Sequence, residues 1–385
     1  MNLFSLVIFV FLLFFTACSE SDSLQTSSLI SEETLSVPQT QECTFLSDGS
    51  CVNADETLEI YKSYAREDEV TQEMVIRLRG WIYEPNSSDT ARSVFLRLLE
   101  NEIENEVTAP EDINQRIDPF LADNQSAEVI KVLIGSKVYT MDESLSSGSF
   151  SGEIRLSYDE VEAILDAQGS RESLAYKVLL PYEDSREFIG EIELVSHDGV
   201  IIVSDLDDTI KLSEVYISES QLLENIFYNP IESVEGMSSF LQTLKDENED
   251  PLLFYVSGSP KQMYQGIETF LEEESFPEGF TYLKDLQLSP FTSSFYTFLD
   301  ENSTYEHKLT TIGNLFEEFP RREFIFVGDS GERDPEVYGA LMQEYENRIK
   351  AVYIRNVTGE TLDNERIQNA FSSGLEKVSF IETDI

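Results

Sequence analysis

Three apolar runs in the second half of the chain each stop against a polar cluster, and this repetition constrains the fold more than any other feature. Val200-Ile201-Ile202-Val203 leads into Ser204-Asp205-Leu206-Asp207-Asp208-Thr209, and Leu252-Leu253-Phe254-Tyr255-Val256 into Ser257-Gly258-Ser259-Pro260. Phe324-Ile325-Phe326-Val327 leads into Gly328-Asp329-Ser330-Gly331-Glu332-Arg333-Asp334, and a fourth run, Ala351 to Ile354, ends at Arg355. Near-continuous apolar runs belong to strands buried on both faces, and amphipathic segments such as Gln262 to Glu274 fill the intervals. The pattern is that of a parallel sheet with helices on both faces. Such sheets bind ligands beyond the carboxyl ends of their strands, where each of the polar clusters falls.

Charge and rare residues narrow the chemistry. Of 385 residues, 26 are Lys or Arg and 74 are Asp or Glu, a formal charge of −48. A nucleic-acid partner needs a basic stripe to displace its counterions, so that class is excluded. Apolar residues make up 41%, including 25 Phe and 17 Tyr, enough to build cores beneath an acidic surface. The length suits two or three domains of about 100 to 200 residues. His occurs twice, at His197 and His307, and Cys three times, at Cys18, Cys43 and Cys51, which leaves little for a zinc site. Carboxylates remain, and they suit hard cations such as magnesium or calcium.

Leu3 to Phe15 is almost wholly apolar and closes on Thr16-Ala17-Cys18. It is shorter than the ~20 residues that span a bilayer, and with small residues at its end it is expected to be a signal peptide, residues 1–17. Phe15-Thr16-Ala17-Cys18 resembles a bacterial lipobox, which implies lipidation at Cys18 and an exported lipoprotein anchored on the periplasmic side or in the outer membrane. Cys43 and Cys51 then form an even pair, either disulfide-bonded or left as two thiols. Residues 18–51, rich in Ser, Thr, Gln and Glu, read as a flexible tether.

Residues 52–197 show several short strand patterns: Val75 to Tyr83, Lys131 to Tyr139, Gly148 to Leu156, Leu174 to Leu180 and Phe188 to Val195, with one helical stretch, Ser93 to Glu102. This spacing predicts a β-rich, sandwich-like N-terminal domain without catalytic groups, in which Trp81 packs in a core or an interface. Residues 198–385 form the second expected domain.

Four features of that domain carry a resemblance. The DxDxT of Asp205 to Thr209, the strand-end Ser257, the later Lys308 and the GDxxxxD from Gly328 to Asp334 resemble the four motifs of haloacid dehalogenase (HAD) superfamily phosphatases, in order. More closely, Ile202 to Lys211, Tyr255 to Pro260, Val327 to Tyr338 and Tyr353 to Val357 resemble the catalytic domain of the actin-patch-protein type of phosphatidate phosphatase, also found in bacterial proteins. The similarity runs from about Gly199 to Val357, and Arg79 to Pro85 resembles a region preceding it in bacterial relatives. The resemblance implies a HAD-like Rossmannoid α/β fold with a small cap, and a magnesium-dependent phosphatase. It further implies Asp205 as the nucleophile that forms an aspartyl-phosphate, with Asp205, the backbone carbonyl of Asp207 and Asp329 holding Mg2+. Asp207 serves as acid and base. Leu206, Asp207, Thr209, Ser257, Gly258 and Lys308 surround the phosphoryl group, and Asp334 supports the metal or positions Lys308. Lys211 and Arg355 lie in the resembling segments without an assigned role. The implied substrate is phosphatidate at a membrane, with soluble phosphomonoesters as the alternative.

Other readings compete. An EF-hand loop fails because Ile210 stands where Gly is required. Ser257, Asp285 and His307 follow the chain order of a serine hydrolase, but no G-x-S-x-G elbow frames Ser257. A non-catalytic lipoprotein scaffold would have no reason to keep Asp205, Asp207 and Asp329 together.

Overall fold

The computed structural model describes residues 52–181, 183–286 and 300–381. The signal peptide, Cys18, the tether and the Cys43–Cys51 pair lie outside the described residues.

Residues 57–195 supply β1 (Thr57–Ile60), β2 (Ser63–Asp68), β3 (Glu73–Glu84), β4 (Asp123–Asn124), β5 (Lys131–Ile134), β6 (Lys137–Thr140), β7 (Ser149–Ser157), β8 (Ser173–Val178) and β9 (Ile189–Val195). The region is β-rich as expected, but its strands join one nine-stranded hydrogen-bonded sheet instead of two separate ones. The reason is the length of β3. It pairs with β7 from Glu73 to Trp81 and also with β1 and β2, linking what would otherwise be two sheets. Strand β7 shows the expected alternation, with Phe150, Gly152, Ile154 and Leu156 buried and the residues between them exposed, so one face packs on the core.

Helix α1 (Asp89–Glu102) begins a turn before the expected Ser93, because the Ser88 hydroxyl caps it by accepting from the Ala91 amide at 3.2 Å. With α2 (Ile113–Leu121) it forms a helical layer outside the sheet. Helix α3 (Tyr158–Gln168) packs on β7 and β8 and opens on a Ser157/Glu160 capping box.

The second sheet comprises β10 (Val200–Ser204), β11 (Leu252–Pro260), β12 (Phe280–Lys284), β13 (Glu323–Asp329), β14 (Ile349–Arg355) and β15 (Val378–Ile381). All adjacent strands are parallel, in the order β12-β11-β10-β13-β14-β15. Strands β12 and β15 were not anticipated. Between these strands run α4 (Glu219–Phe227), α5 (Met237–Glu247), α6 (Tyr264–Glu273), α7 (Glu301–Glu318), α8 (Asp334–Tyr345) and α9 (Glu365–Ala370).

Alternate strand residues go to opposite faces. Ile201, Val203, Phe254, Phe324 and Phe326 pack with Ile312 and Phe316 of α7 and Val337 and Leu341 of α8. Val200, Ile202, Leu253, Tyr255 and Ile325 pack with Met237 and Leu241 of α5 and Ile267 and Phe270 of α6. Burial on both faces explains the continuous apolar runs. Chain order reverses at β10, which lies between β11 and β13, so the crevice for a ligand opens above these three strands.

The two sheets share an interface. Tyr64 of β2 packs edge-on against Phe254 and Phe280, and its hydroxyl donates to Glu318 Oε2 at 2.6 Å. The segment between β10 and α5 divides: Leu222, Leu223, Ile226, Phe227 and Tyr228 are buried against α1 and α2, whereas Tyr216 and Ile217 stay 39% and 54% exposed.

Candidate active site

Asp205 follows the last residue of β10 and is wholly buried, its amide donating to the Val327 carbonyl at 2.9 Å. That bond fixes the turn from the central strand beside β13. Both carboxylate oxygens lack a hydrogen bond among the described residues. Lys308 Nζ lies 2.7 Å from Asp205 Oδ1, an ion-pair distance without hydrogen-bond geometry. Asp329 ends β13, and its Oδ1 accepts from the amides of Gly331 and Glu332 at 2.6 and 3.0 Å; Asp334 opens α8, and its Oδ2 accepts from the Asp329 amide at 3.2 Å. Gly328 permits this: a Cβ there would collide with Asp334 Oδ2. Asp329 Oδ2 also lacks a partner among the described residues.

Asp205, Asp329 and Asp334 thus each present a carboxylate oxygen within 4.8 Å of the others, all buried. Lys308, from α7, lies 2.8 Å from Glu332 Oε2 and 2.6 Å from Asp334 Oδ1 as well. One ammonium faces three carboxylates, with Asp329 close by. Burial pushes the Asp205 and Asp329 carboxyls well above their ordinary range, Lys308 opposing and the neighbouring carboxylates adding to the shift. A buried excess of negative charge with orphaned oxygens fits a hard divalent cation, which takes oxygen ligands and cancels the repulsion.

Asp207 faces a different set. Its Oδ1 accepts from the Ser213 hydroxyl and from Lys211, each at 2.6 Å, and its Oδ2 from the Ser257 and Ser259 hydroxyls at 2.9 and 2.8 Å. Burial would raise its pKa, but the Lys211 charge and these bonds outweigh it and hold Asp207 far below the carboxylate range, as an anion. Its side chain is not part of the three-carboxylate cluster. Thr209 is buried with its hydroxyl unpaired among the described residues, and the Leu206 carbonyl receives the amides of Ile210 and Lys211 at 2.9 Å, closing the turn. Gly258 brings its backbone against Thr304, where a Cβ would come within 2.7 Å of the Thr304 methyl.

Asp208 has a role of its own. At φ +55° its carboxylate turns to accept from the amides of Ser213, Glu214 and Val215 at 3.1, 2.7 and 2.7 Å. It holds the loop over the site. Arg355, at the end of β14, donates to the Asp208 carbonyl at 2.7 Å, and Lys211 holds Asp207. Both are therefore supports of the DxDxT turn.

The serine-hydrolase reading fails on geometry. Ser257 donates to Asp207, Asp285 accepts from Lys261 at 2.8 Å and from Ser149 at 2.7 Å, and His307 bonds the Tyr282 backbone. None of the three bonds another.

Residues 200–356 match the family model described as phosphatidate phosphatase APP1, catalytic domain. This stretch is similar to catalytic domains of the APP1 type. Phosphatidate phosphatase APP1 of Saccharomyces cerevisiae is 31% identical over 188 residues, covering 47% of this chain and 31% of that protein. An uncharacterised protein of Schizosaccharomyces pombe is 23% identical over 197 residues, covering 50% of this chain and 31% of its own. The chain thus spans about a third of the length of either relative. A solved carbohydrate esterase chain aligns over 86% of this chain and 89% of its own at 10% identity, but its TM-score of 0.21 supports no inference about fold.

Within residues 200–356, the sequence reading missed Glu332, Ser213, Ser259, Lys261 and Lys284. Ser259 lay inside a motif already singled out, and Lys284 ends the apolar-polar run Phe280 to Lys284. The four lysines that are fully buried among the described residues are Lys211, Lys261, Lys284 and Lys308. Lys261 and Lys284 follow or end β11 and β12, so cations crowd the carboxyl edge of the sheet. Lys261 also donates to Ser149 Oγ at 2.6 Å and lies 5.4 Å from the Trp81 ring centroid, tying the segment after Ser259 to the first sheet.

Lys284, 3.0 Å from Thr304 Oγ1, is pushed down to about 8 by burial. Its folded pKa lies below the ordinary 10.5, so between these values the unfolded chain binds more protons and stability rises with pH. Lys284→Met is expected to flatten that rise of about 3 kcal/mol at most between pH 8 and 10.5, measured by urea unfolding. An unchanged slope would show that Lys284 is not its source.

Proposed function

We propose that the chain is a divalent-metal-dependent phosphomonoesterase that works through an aspartyl-phosphate on Asp205, converting phosphatidate to diacylglycerol and phosphate. The reading rests above all on the meeting of Asp205, its oxygens without hydrogen bonds among the described residues, with Asp329 of the neighbouring strand end, Asp334 of α8 and Lys308 of α7. Its fold is read as HAD-like, with α1, α2 and α4 as a small composite cover. Asp205, Asp329 and Asp334 would hold Mg2+, with the Asp207 carbonyl as a further ligand. When bound, the ion offsets the repulsion between carboxylate and phosphate and polarises the phosphoryl oxygens.

Asp205 Oδ bonds to phosphorus as the bond from phosphorus to the glycerol oxygen breaks. Phosphoryl oxygens are strong acceptors, and they draw the Ser257 and Ser259 hydroxyls away from Asp207 Oδ2. Released from two of its four donors, Asp207 takes up a proton and delivers it to the leaving alkoxide. In the second step Asp207 accepts a proton from water, the hydroxide adds to phosphorus, and the bond to Asp205 breaks. Lys308 stabilises the charge that develops on the phosphoryl oxygens.

A chain of charge −48 repels an anionic lipid at long range. At physiological salt the distant surface carboxylates are screened beyond about 8 Å, and a bound divalent cation would offset the carboxylates gathered around Lys308. A lipid substrate accords with the name of the yeast relative and with the exposed Tyr216 and Ile217. A Cβ on Gly331 would come within 2.9 Å of the Tyr216 Cβ, which places this apolar tip beside the metal-binding loop.

Two measurements test the reading. Phosphate release from phosphatidate in mixed micelles is expected to require Mg2+ and to exceed release from an aryl phosphate; greater activity on the aryl phosphate would assign soluble phosphomonoesters, and activity on neither would overturn the enzyme reading. Among the described residues no helix is long and apolar enough to cross a membrane, and we place the anchor at a lipidated Cys18. Full-length protein is then expected to partition into detergent and Cys18→Ala to lose that partitioning.

A further inference from the structure

A cavity of about 190 Å3 lies between the first sheet and α7, lined by Arg77, Arg79, Tyr282, Thr311, Asn314 and Glu318. None of its lining residues belongs to the catalytic cluster, although Thr311 follows Lys308 by three residues on α7, a rise of about 4.5 Å. Two of the charged residues cancel. Arg77 pairs with Glu318, whose other oxygen accepts from Tyr64, and Arg77 also lies 3.7 Å from Glu153.

Arg79 is left over. Its guanidinium carbon lies 3.6 Å from the Tyr282 ring centroid and 5.7 Å from that of Tyr61. Among the described residues it makes no ion pair and no side-chain hydrogen bond. In a chain with 74 acidic residues, a guanidinium without a carboxylate partner is unexpected. Stacking engages the face of the guanidinium and leaves its in-plane N–H donors free, while the ring fixes its orientation. The Thr311 hydroxyl and Asn314 amide, also without side-chain hydrogen bonds among the described residues, add neutral donors on one face of α7.

We propose that this cavity binds a phosphate-sized oxyanion, gripped by the edge of Arg79 with Thr311 and Asn314 completing its hydrogen bonds. The volume equals about six waters at ~30 Å3 each, room for a tetrahedral anion that keeps part of its hydration. Guanidinium donors suit oxyanions because they bond two oxygens in one plane. The anion comes either as free phosphate or as the phosphate headgroup of a lipid. The site is independent of the reading of Asp205, since it uses neither that residue nor a metal.

Calorimetry on the full chain in EDTA, with inorganic phosphate in one arm and water-soluble dibutanoyl phosphatidate in the other, separates these sources. Arg79→Met, which keeps the aliphatic stem, is expected to weaken one binding event about tenfold or more, and Asn314→Asp, at an exposed position, to weaken the same event by adding negative charge. Ser257→Ala should leave that event intact. An effect on inorganic phosphate alone assigns the free anion, and an effect on both probes assigns the lipid headgroup. Binding of both probes that neither Arg79→Met nor Asn314→Asp alters would overturn the proposal, whatever the outcome of the turnover assays; if Arg79→Met does not fold, Asn314→Asp alone decides.

Discussion

Asp205→Asn is expected to abolish metal-dependent phosphate release, lowering kcat by about 10⁴-fold or more, while raising the melting temperature of the metal-free protein. The two effects have one cause. Asp205 is buried beside Asp329, Glu332 and Asp334, and Lys308 is the ammonium in direct contact with three of these four carboxylates. Burial raises the pKa of Asp205, Asp329 and Glu332, so the ionised cluster costs the metal-free fold stability at neutral pH. The amide keeps the shape and removes one charge, which should stabilise the protein by about 1–2 kcal/mol, a few degrees. Turnover retained by the variant would show that Asp205 is not the nucleophile. A melting temperature that falls in EDTA would show that its charge is not a net cost.

This antagonism between function and stability was legible in the sequence only in part. Asp205, Ser257 and Asp329 could be placed at neighbouring strand ends because apolar runs fix where strands stop, and parallel topology fixes which ends gather. What each carboxylate touches depends on contacts remote in sequence. Asp207 and Asp208 are adjacent, yet one faces Ser257 and Ser259, some fifty residues away, and the other binds the amides of its own loop. No local pattern separates them. Glu332 was unremarkable among so many acids until α7 brought Lys308 against it. The single N-terminal sheet was hidden for a related reason: spacing shows where strands are, whereas pairing on both edges of β3 is a property of the assembled sheet.

Lys308→Met should cost more than any other single change in the site. Beyond losing turnover, it leaves the buried Asp205 and Asp334 and the largely buried Glu332 without their counter-ion, and removing one partner from a buried cluster of this kind costs about 3–5 kcal/mol. An exposed pair is the contrast: Lys137 and Glu160 are ion-paired with side chains 62% and 36% exposed, where water screens the charges and loss of the lysine leaves no buried charge behind. The pH dependence carries the diagnosis. Without Lys308 the folded-state pKa values of Asp205 and Glu332, already raised by burial, rise further above their unfolded values, so the native state binds more protons than the unfolded chain and stability falls as pH increases through that window. Denaturant unfolding in EDTA should therefore show Lys308→Met closer to wild type near pH 5 than near pH 8, with Mg2+ recovering part of the difference at the higher pH. A destabilisation that does not change with pH would assign the loss to the packing of the lysine stem instead of its charge.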